Sequence, residues 1–188
     1  MMQEKEHVLK VLEEVKKALN EKDYLEIKIL SDKIIHISSV HQDSDIISLS
    51  VIIYALSKIL ERRNYKEEKN WAKFFKRFVN NIDDMILALK KNDFGVFHDE
   101  IEENRKLIQG LSGNLKGFIK DVFRRARVNK ASRIYEHGIS MEKTAKILGI
   151  SLWELSEYAG KTGIGNVNLA VTVPIRQRIK FAEEIFER

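Results

Sequence analysis

The hydrophobic residues of the first 110 positions recur every three or four residues, the spacing of helices with one buried face. Lys and Glu fill most of the positions between them. The pattern predicts helices over residues 4–19, 24–38 and 66–91, followed by an acidic helix that includes Phe97 and Leu111. The predicted inner side of the second helix carries Leu25, Ile29, Ile34 and Ile37.

The segment of residues 46–60, IISLSVIIYALSKIL, is apolar on almost every side. A helix without a polar face is buried, so this segment is predicted to be the central helix of the N-terminal core. A β-strand is the alternative, because residues 51–54 (VIIY) favour strands. The length of the segment and its continuation to Leu60 favour the helix. Ser44 and Asp45 precede it, and both are good N-caps.

The second half continues the helical pattern, and the predicted fold class is all-α. Residues 115–138 are expected to form one helix or a pair of helices with a basic polar side. At most one short strand is expected, at residues 169–173 (LAVTV). Pro174 favours the start of a last helix, because proline is tolerated in a first turn. This amphipathic helix either closes the C-terminal domain or pairs with a partner; its apolar stripe is Ile175, Ile179, Ala182, Ile185 and Phe186.

Charge divides the chain into two predicted domains. Residues 1–110 hold 19 Lys and Arg against 20 Asp and Glu, whereas residues 111–188 hold 14 against 8. Gly110, Ser112 and Gly113 mark a hinge at the point where the charge changes sign. We therefore expect an N-terminal helical bundle that mediates oligomerisation or partner binding, followed by a basic domain. Such asymmetry is typical of a nucleic-acid contact surface, although basic thermophile surfaces share it.

The stretch SMEKTAKILGISLWELSEYAGKT predicts a helix-turn-helix, with helices near residues 141–148 and 152–160. Gly149 lies where the chain must turn. Ser151 and Glu154 have the S-x-x-E spacing of a capping box, in which hydroxyl and carboxylate each accept a hydrogen bond from a backbone N–H of the first turn. Spacing, turn and cap agree on the same motif.

A helix-turn-helix that reads DNA places the start of its second helix in the major groove. That helix carries no Arg, Lys, Asn or Gln between Ser151 and Gly160, and these are the side chains that suit base edges. The alternative is a non-enzymatic protein-interaction scaffold that docks a protein through the surface around Leu152. The residues predicted to contact phosphates are Arg124, Arg125, Arg127, Lys130, Lys143 and Lys146. Those predicted to enter the groove are Ser151, Trp153, Ser156 and Lys161.

Several other classes of protein are disfavoured. The chain has no cysteine, no apolar run long enough to span a bilayer and no signal peptide at its N-terminus, so a cytoplasmic location is expected. No catalytic motif is visible, and we predict neither catalytic residues nor a cofactor. A set of His and Asp residues in the N-terminal half could ligate a divalent ion, but it is better explained as helix ends and caps, so no metal site is predicted; the set is Asp32, His36, His41, Asp43 and Asp45.

The last third resembles small archaeal and bacterial helix-turn-helix proteins of the antitoxin type, which pair with PIN-type ribonuclease toxins. The matching residues are Ala145, Leu148, Gly149, Ser151, Trp153, Glu154 and Leu155, followed by the exit at residues 160–164. The resemblance covers roughly residues 138–187 and implies a homo-oligomeric regulator. In that family the motif dimerises and binds double-stranded DNA, and the tail occupies the protein partner. The N-terminal helices lie outside the resemblance.

Overall fold

The computed structural model describes residues 4–41, 43–62, 65–66, 70–111, 116–136 and 139–162, and the regular structure of these residues is helical. The predicted all-α class is therefore confirmed. The predicted strand at 169–173 and the last helix lie outside the described residues. The helices are α1 (Lys5–Glu21), α2 (Tyr24–His41), α3 (Ser44–Leu60), α4 (Trp71–Lys91), α5 (Phe94–Gln109), α6 (Lys116–Glu136), α7 (Met141–Leu148) and α8 (Leu152–Thr162).

Most helix ends agree with the sequence pattern, with small shifts. Helices α1 and α4 end at the C-caps Lys22 and Asn92, which are both in the left-handed conformation with φ of 59°. Helix α4 begins at Trp71 rather than at Lys66. The N-cap of α3 is Asp43, one residue earlier than the predicted Ser44, and its carboxylate accepts hydrogen bonds from two backbone N–H groups of the first turn. One carboxylate thus satisfies two groups that a helix start leaves unpaired.

Helix α3 is the central helix, as predicted, and the strand alternative is wrong. It packs against α2, α5 and α6, so nearly all of its surface is covered. The two buried hydroxyls of this helix have hydrogen-bond partners. Ser50 and Ser57 each donate to the carbonyl three residues earlier, at 2.7 and 2.8 Å. Each hydroxyl therefore avoids the cost of an unpaired buried donor.

The predicted inner side of α2 is partly wrong. Leu25 and Ile29 are 67% and 43% exposed, whereas Ile27 and Leu30 are buried. The helix contacts α1, α3 and α6, which leaves only one narrow strip open to solvent. Because α2 is apolar on several sides, its sequence pattern could not indicate which apolar residues face that strip.

Helix α6 belongs to the same hydrophobic core as the first five helices. Its apolar residues, including Ile119, Ala126 and Ile134, pack against α2, α3 and α5. The same helix also contacts α7 and α8. The core therefore continues across the boundary that the charge pattern predicts, and α6 joins the bundle to the helix-turn-helix.

Candidate nucleic-acid interface

The predicted helix-turn-helix is formed by α7 and α8, supported by α6. Gly149 ends α7 in the left-handed conformation, with φ of 60°, where a residue with a side chain would be strained. Ser140 caps α7, because its hydroxyl accepts the N–H of Lys143 at 3.3 Å. The turn residue and this cap explain why a helix of only eight residues begins and ends where it does.

The capping box at the start of α8 is confirmed. The N–H of Glu154 donates to the Ser151 hydroxyl oxygen at 3.1 Å, and the N–H of Ser151 donates to the Glu154 carboxylate at 3.1 Å. The Ser151 hydroxyl also donates to the Glu154 carboxylate, at 3.0 Å. The two bonds that this carboxylate accepts, from the backbone N–H and the hydroxyl of Ser151, hold the pKa of Glu154 below its usual range, with a smaller contribution from Arg124. The first turn of α8 therefore carries a fixed negative charge at neutral pH.

The angle between the helices is held by a small apolar wedge. Ala145, Leu148, Leu155 and Ala159 are buried between α6, α7 and α8. Arg127 adds a polar bond from α6 to the turn, since its guanidinium donates to the carbonyl of Gly149 at 3.2 Å. Arg127 was predicted to contact phosphates, but in the structure it is half-buried and holds the turn.

Two predicted phosphate ligands of α6 are exposed and weakly paired. Arg124 lies 3.5 Å from a carboxylate oxygen of Glu154, and Arg125 lies 2.8 Å from one of Asp121. The side chains of both arginines are more than half exposed, at 60% and 74%. Exposed ion pairs of this kind contribute about 0–1 kcal/mol, so a phosphate could replace either carboxylate at little cost.

Lys130 is the clear exception among the predicted phosphate ligands, and that prediction is wrong. Its side chain is fully buried, and its ammonium binds Asp32 at 2.5 Å and Ser31 at 2.8 Å. The ammonium also lies 4.6 Å from the centre of the Tyr54 ring. Burial lowers the pKa of Lys130 to about 8, and Asp32 only partly opposes this shift. Lys130 therefore links α6 to α2 inside the core and cannot reach a surface phosphate.

The remaining predicted cations are on the surface. Lys143 and Lys146 are exposed on α7, and neither forms an ion pair within the described part of the chain. Lys161 is exposed but bound to Glu157 one turn earlier, at 2.5 Å. The two cations of α7 are thus the ones most available to an anionic partner.

The start of α8 presents an exposed apolar tip. Trp153 is 78% exposed and Leu152 is 49% exposed. Trp153 is the most exposed large apolar side chain among the described residues. Ser151 is also exposed, while the hydroxyl of Ser156 donates to the carbonyl of Leu152 at 2.8 Å. The predicted groove residues therefore lie together on one open surface, apart from Lys161 at the other end of α8.

Three of the candidate metal ligands of the N-terminal half have other partners, and the side chain of His41 lies outside the described residues. Asp32 binds Lys130, Asp43 caps α3, and Asp45 lies 2.9 Å from His98. Among the described residues, no group of three or more His, Asp or Glu is arranged to hold a metal ion. In the same part of the chain, no helix is long and apolar enough to cross a membrane. The sequence matches no protein-family model, no curated protein and no solved structure.

Proposed function

We propose that the protein is a DNA-binding helix-turn-helix regulator, antitoxin-like in its C-terminal third. Basic side chains of α6 and α7 contact the phosphates of the DNA in this proposal. The observation that carries the proposal is the intact motif itself, with its capped second helix opening onto solvent. Lys143 and Lys146 of α7 supply two exposed charges that form no ion pair among the described residues. The motif would enter the groove with Ser151 and Trp153, and the ring of Trp153 suits an apolar contact with thymine methyl groups.

Because Lys130 is buried, it is not among the cations that can bind DNA phosphates. Exposed pairs such as Arg124–Glu154 can open for about 0–1 kcal/mol. The ammonium of Lys130 is fully buried between α6 and α2, so it cannot reach a phosphate unless this packing opens. The phosphate set is therefore Arg124, Arg125, Lys143 and Lys146, without Lys130 or Arg127.

Reversal of Lys143 and Lys146 to Glu is expected to weaken binding to duplex DNA by about tenfold or more at low salt, because two phosphate contacts are lost. The slope of the logarithm of affinity against the logarithm of salt concentration should fall by about 2. Fluorescence anisotropy of a labelled mixed-sequence duplex measures both quantities.

The matched control reverses Lys73 and Lys106, two exposed lysines of α4 and α5 with the same change in net charge. This control should bind duplex as the wild type does. If the wild type binds no duplex at low salt, or if both variants lose affinity equally, the DNA proposal fails. Circular dichroism verifies that both variants keep their helices.

A second candidate function, docking of a protein partner, is favoured by the exposure of Trp153 and Leu152. An open apolar tip on a short helix is a suitable anchor for a protein contact. The acidic residues behind it, Glu154 and Glu157, would oppose phosphates but would tolerate a basic protein surface.

The fluorescence of Trp153 separates the two candidates. The chain has two tryptophans, so Trp71→Phe leaves Trp153 as the sole emitter. If α8 enters the groove, duplex DNA should change this emission at low salt, and added salt should reverse the change. The alternative result is an emission that does not respond to DNA but shifts to the blue as the protein concentration rises. This result would show that Trp153 is buried in a protein contact, between two copies of the chain.

A further inference from the structure

A cleft between α4 and α5 combines an apolar floor with a cationic rim. Its volume is about 540 Å³, within the range of sites for small molecules. The two helices pack against each other after a short connection at residues 92–93, so the start of α4 lies beside the end of α5. Phe74, Leu107 and Leu111 supply the apolar floor.

The rim carries four cations against one carboxylate. Lys73, Lys76 and Arg77 project from α4 and Lys106 from α5, and Glu103 is the single acidic residue of the lining among the described residues. All four cations are exposed. None of them forms an ion pair within the part of the chain that the structure describes. With four cations and one carboxylate, the lining of the cleft carries a net positive charge.

This charge distribution is unlike that of the cleft beside the helix-turn-helix. There Arg124, Arg125 and Lys161 also converge, but each is bound to a carboxylate of its own surface. An anion entering that cleft would compete with internal partners. In the α4–α5 cleft no cation is held in such an ion pair among the described residues; Glu103 in the lining, and Glu100 and Glu102 near Arg77 and Lys106, act on the rim only at longer range.

The backbone adds to the attraction for an anion. Asn70, the N-cap of α4, lines the cleft but makes no side-chain hydrogen bond to the first turn of the helix. Among the described residues, no side chain accepts a hydrogen bond from the first-turn N–H groups of this 21-residue helix, which carry the positive end of the helix dipole. Charge, backbone donors and apolar floor meet at one place.

We infer that the α4–α5 cleft binds a free, single-chain anionic amphiphile, with a phosphate or carboxylate head among Lys73, Arg77 and Lys106 and its apolar chain over Phe74 and Leu107. The cationic rim requires the negative head, and the floor requires the apolar chain. A compound with only one of these parts would leave either the charges or the apolar surface unmatched. This inference does not depend on DNA binding by the helix-turn-helix.

Decyl phosphate, below the concentration at which it forms micelles, is the probe. Trp71 reports binding in a Trp153→Phe variant, because its ring centre lies 5.0 Å from that of Phe74, which lines the cleft. We expect a change in Trp71 emission with saturable, micromolar binding that calorimetry reproduces. Inorganic phosphate and a neutral decyl glycoside should each bind at least about tenfold more weakly.

Lys73→Glu with Lys106→Glu should weaken decyl phosphate binding by about tenfold or more, and the corresponding Gln pair should weaken it less. The control is Lys143→Glu with Lys146→Glu, which leaves the cleft intact and should retain full binding. Equal binding of the neutral glycoside or of inorganic phosphate would overturn the inference. So would undiminished binding to the Glu pair, or binding only to vesicles that contain anionic lipid.

Discussion

Replacement of Lys130 by Met is expected to raise the free energy of unfolding at pH 7 by about 2 kcal/mol. The pKa of Lys130 falls from 10.5 to about 8 in the folded chain, mainly because its ammonium is buried. Each pKa unit of such a shift corresponds to about 1.4 kcal/mol by which the folded chain destabilises the charged form of the lysine. Methionine fills a similar volume without charge, and Asp32, whose side chain is 34% exposed, can be hydrated after the substitution, so no unpaired charge is left buried. The bonds lost to Asp32 and Ser31 reduce the gain.

Urea unfolding of three variants tests this expectation. Lys120→Met, the matched change at an exposed lysine of the same helix, should alter stability by less than about 0.5 kcal/mol. Asp32→Ala should be destabilising, because it leaves the ammonium of Lys130 buried without its carboxylate. A Lys130→Met variant less stable than the wild type at pH 7 would show that the buried pair is a net source of stability.

Wild-type stability is expected to rise by about 2–3 kcal/mol between pH 8 and pH 10, as Lys130 loses its proton in the folded chain. In this window the unfolded chain, with a lysine pKa of 10.5, still holds the proton, whereas the folded chain has released it. Stability increases with pH wherever the unfolded state binds more protons. Above pH 10 the opposite effect begins, because burial raises the pKa of Tyr24 to about 12 in the folded chain.

Urea unfolding at pH 8, 9 and 10 measures this rise. Lys130→Met should abolish most of it, because the titrating group is removed. Lys120→Met should retain it. A wild-type curve that is flat across the window, or a rise that persists in Lys130→Met, would mean that Lys130 does not titrate near pH 8.

The local features of the motif could be predicted because they depend on neighbouring residues. Gly149, the Ser151–Glu154 capping box and the small Ala145 are separated by only a few positions, so the sequence contains all the partners. The buried lysine could be predicted only in part. Ala126 and Ile134 lie four residues on either side of Lys130, which places Lys130 on the inner face of α6. Its partner Asp32 is 98 positions away, and no local pattern indicates that pairing.

The α4–α5 cleft could not be predicted from the sequence, for the same reason. Lys73, Lys76 and Arg77 look like the ordinary solvated face of a helix when α4 is considered alone. They form the cationic rim of the cleft only because Lys106, on α5, lies across the same apolar floor. Nothing in the spacing of either helix indicates that these two faces meet.

The double role of α6 limits how this chain can be cut into pieces. A fragment that begins at residue 111 would retain α6, α7 and α8 but expose the side of α6 that packs on α2 and α3, including Ile119 and Ile134. It would also separate Lys130 from Asp32. The helix-turn-helix is therefore not a detachable module, and truncation at the change in charge would remove the surface on which its supporting helix is built.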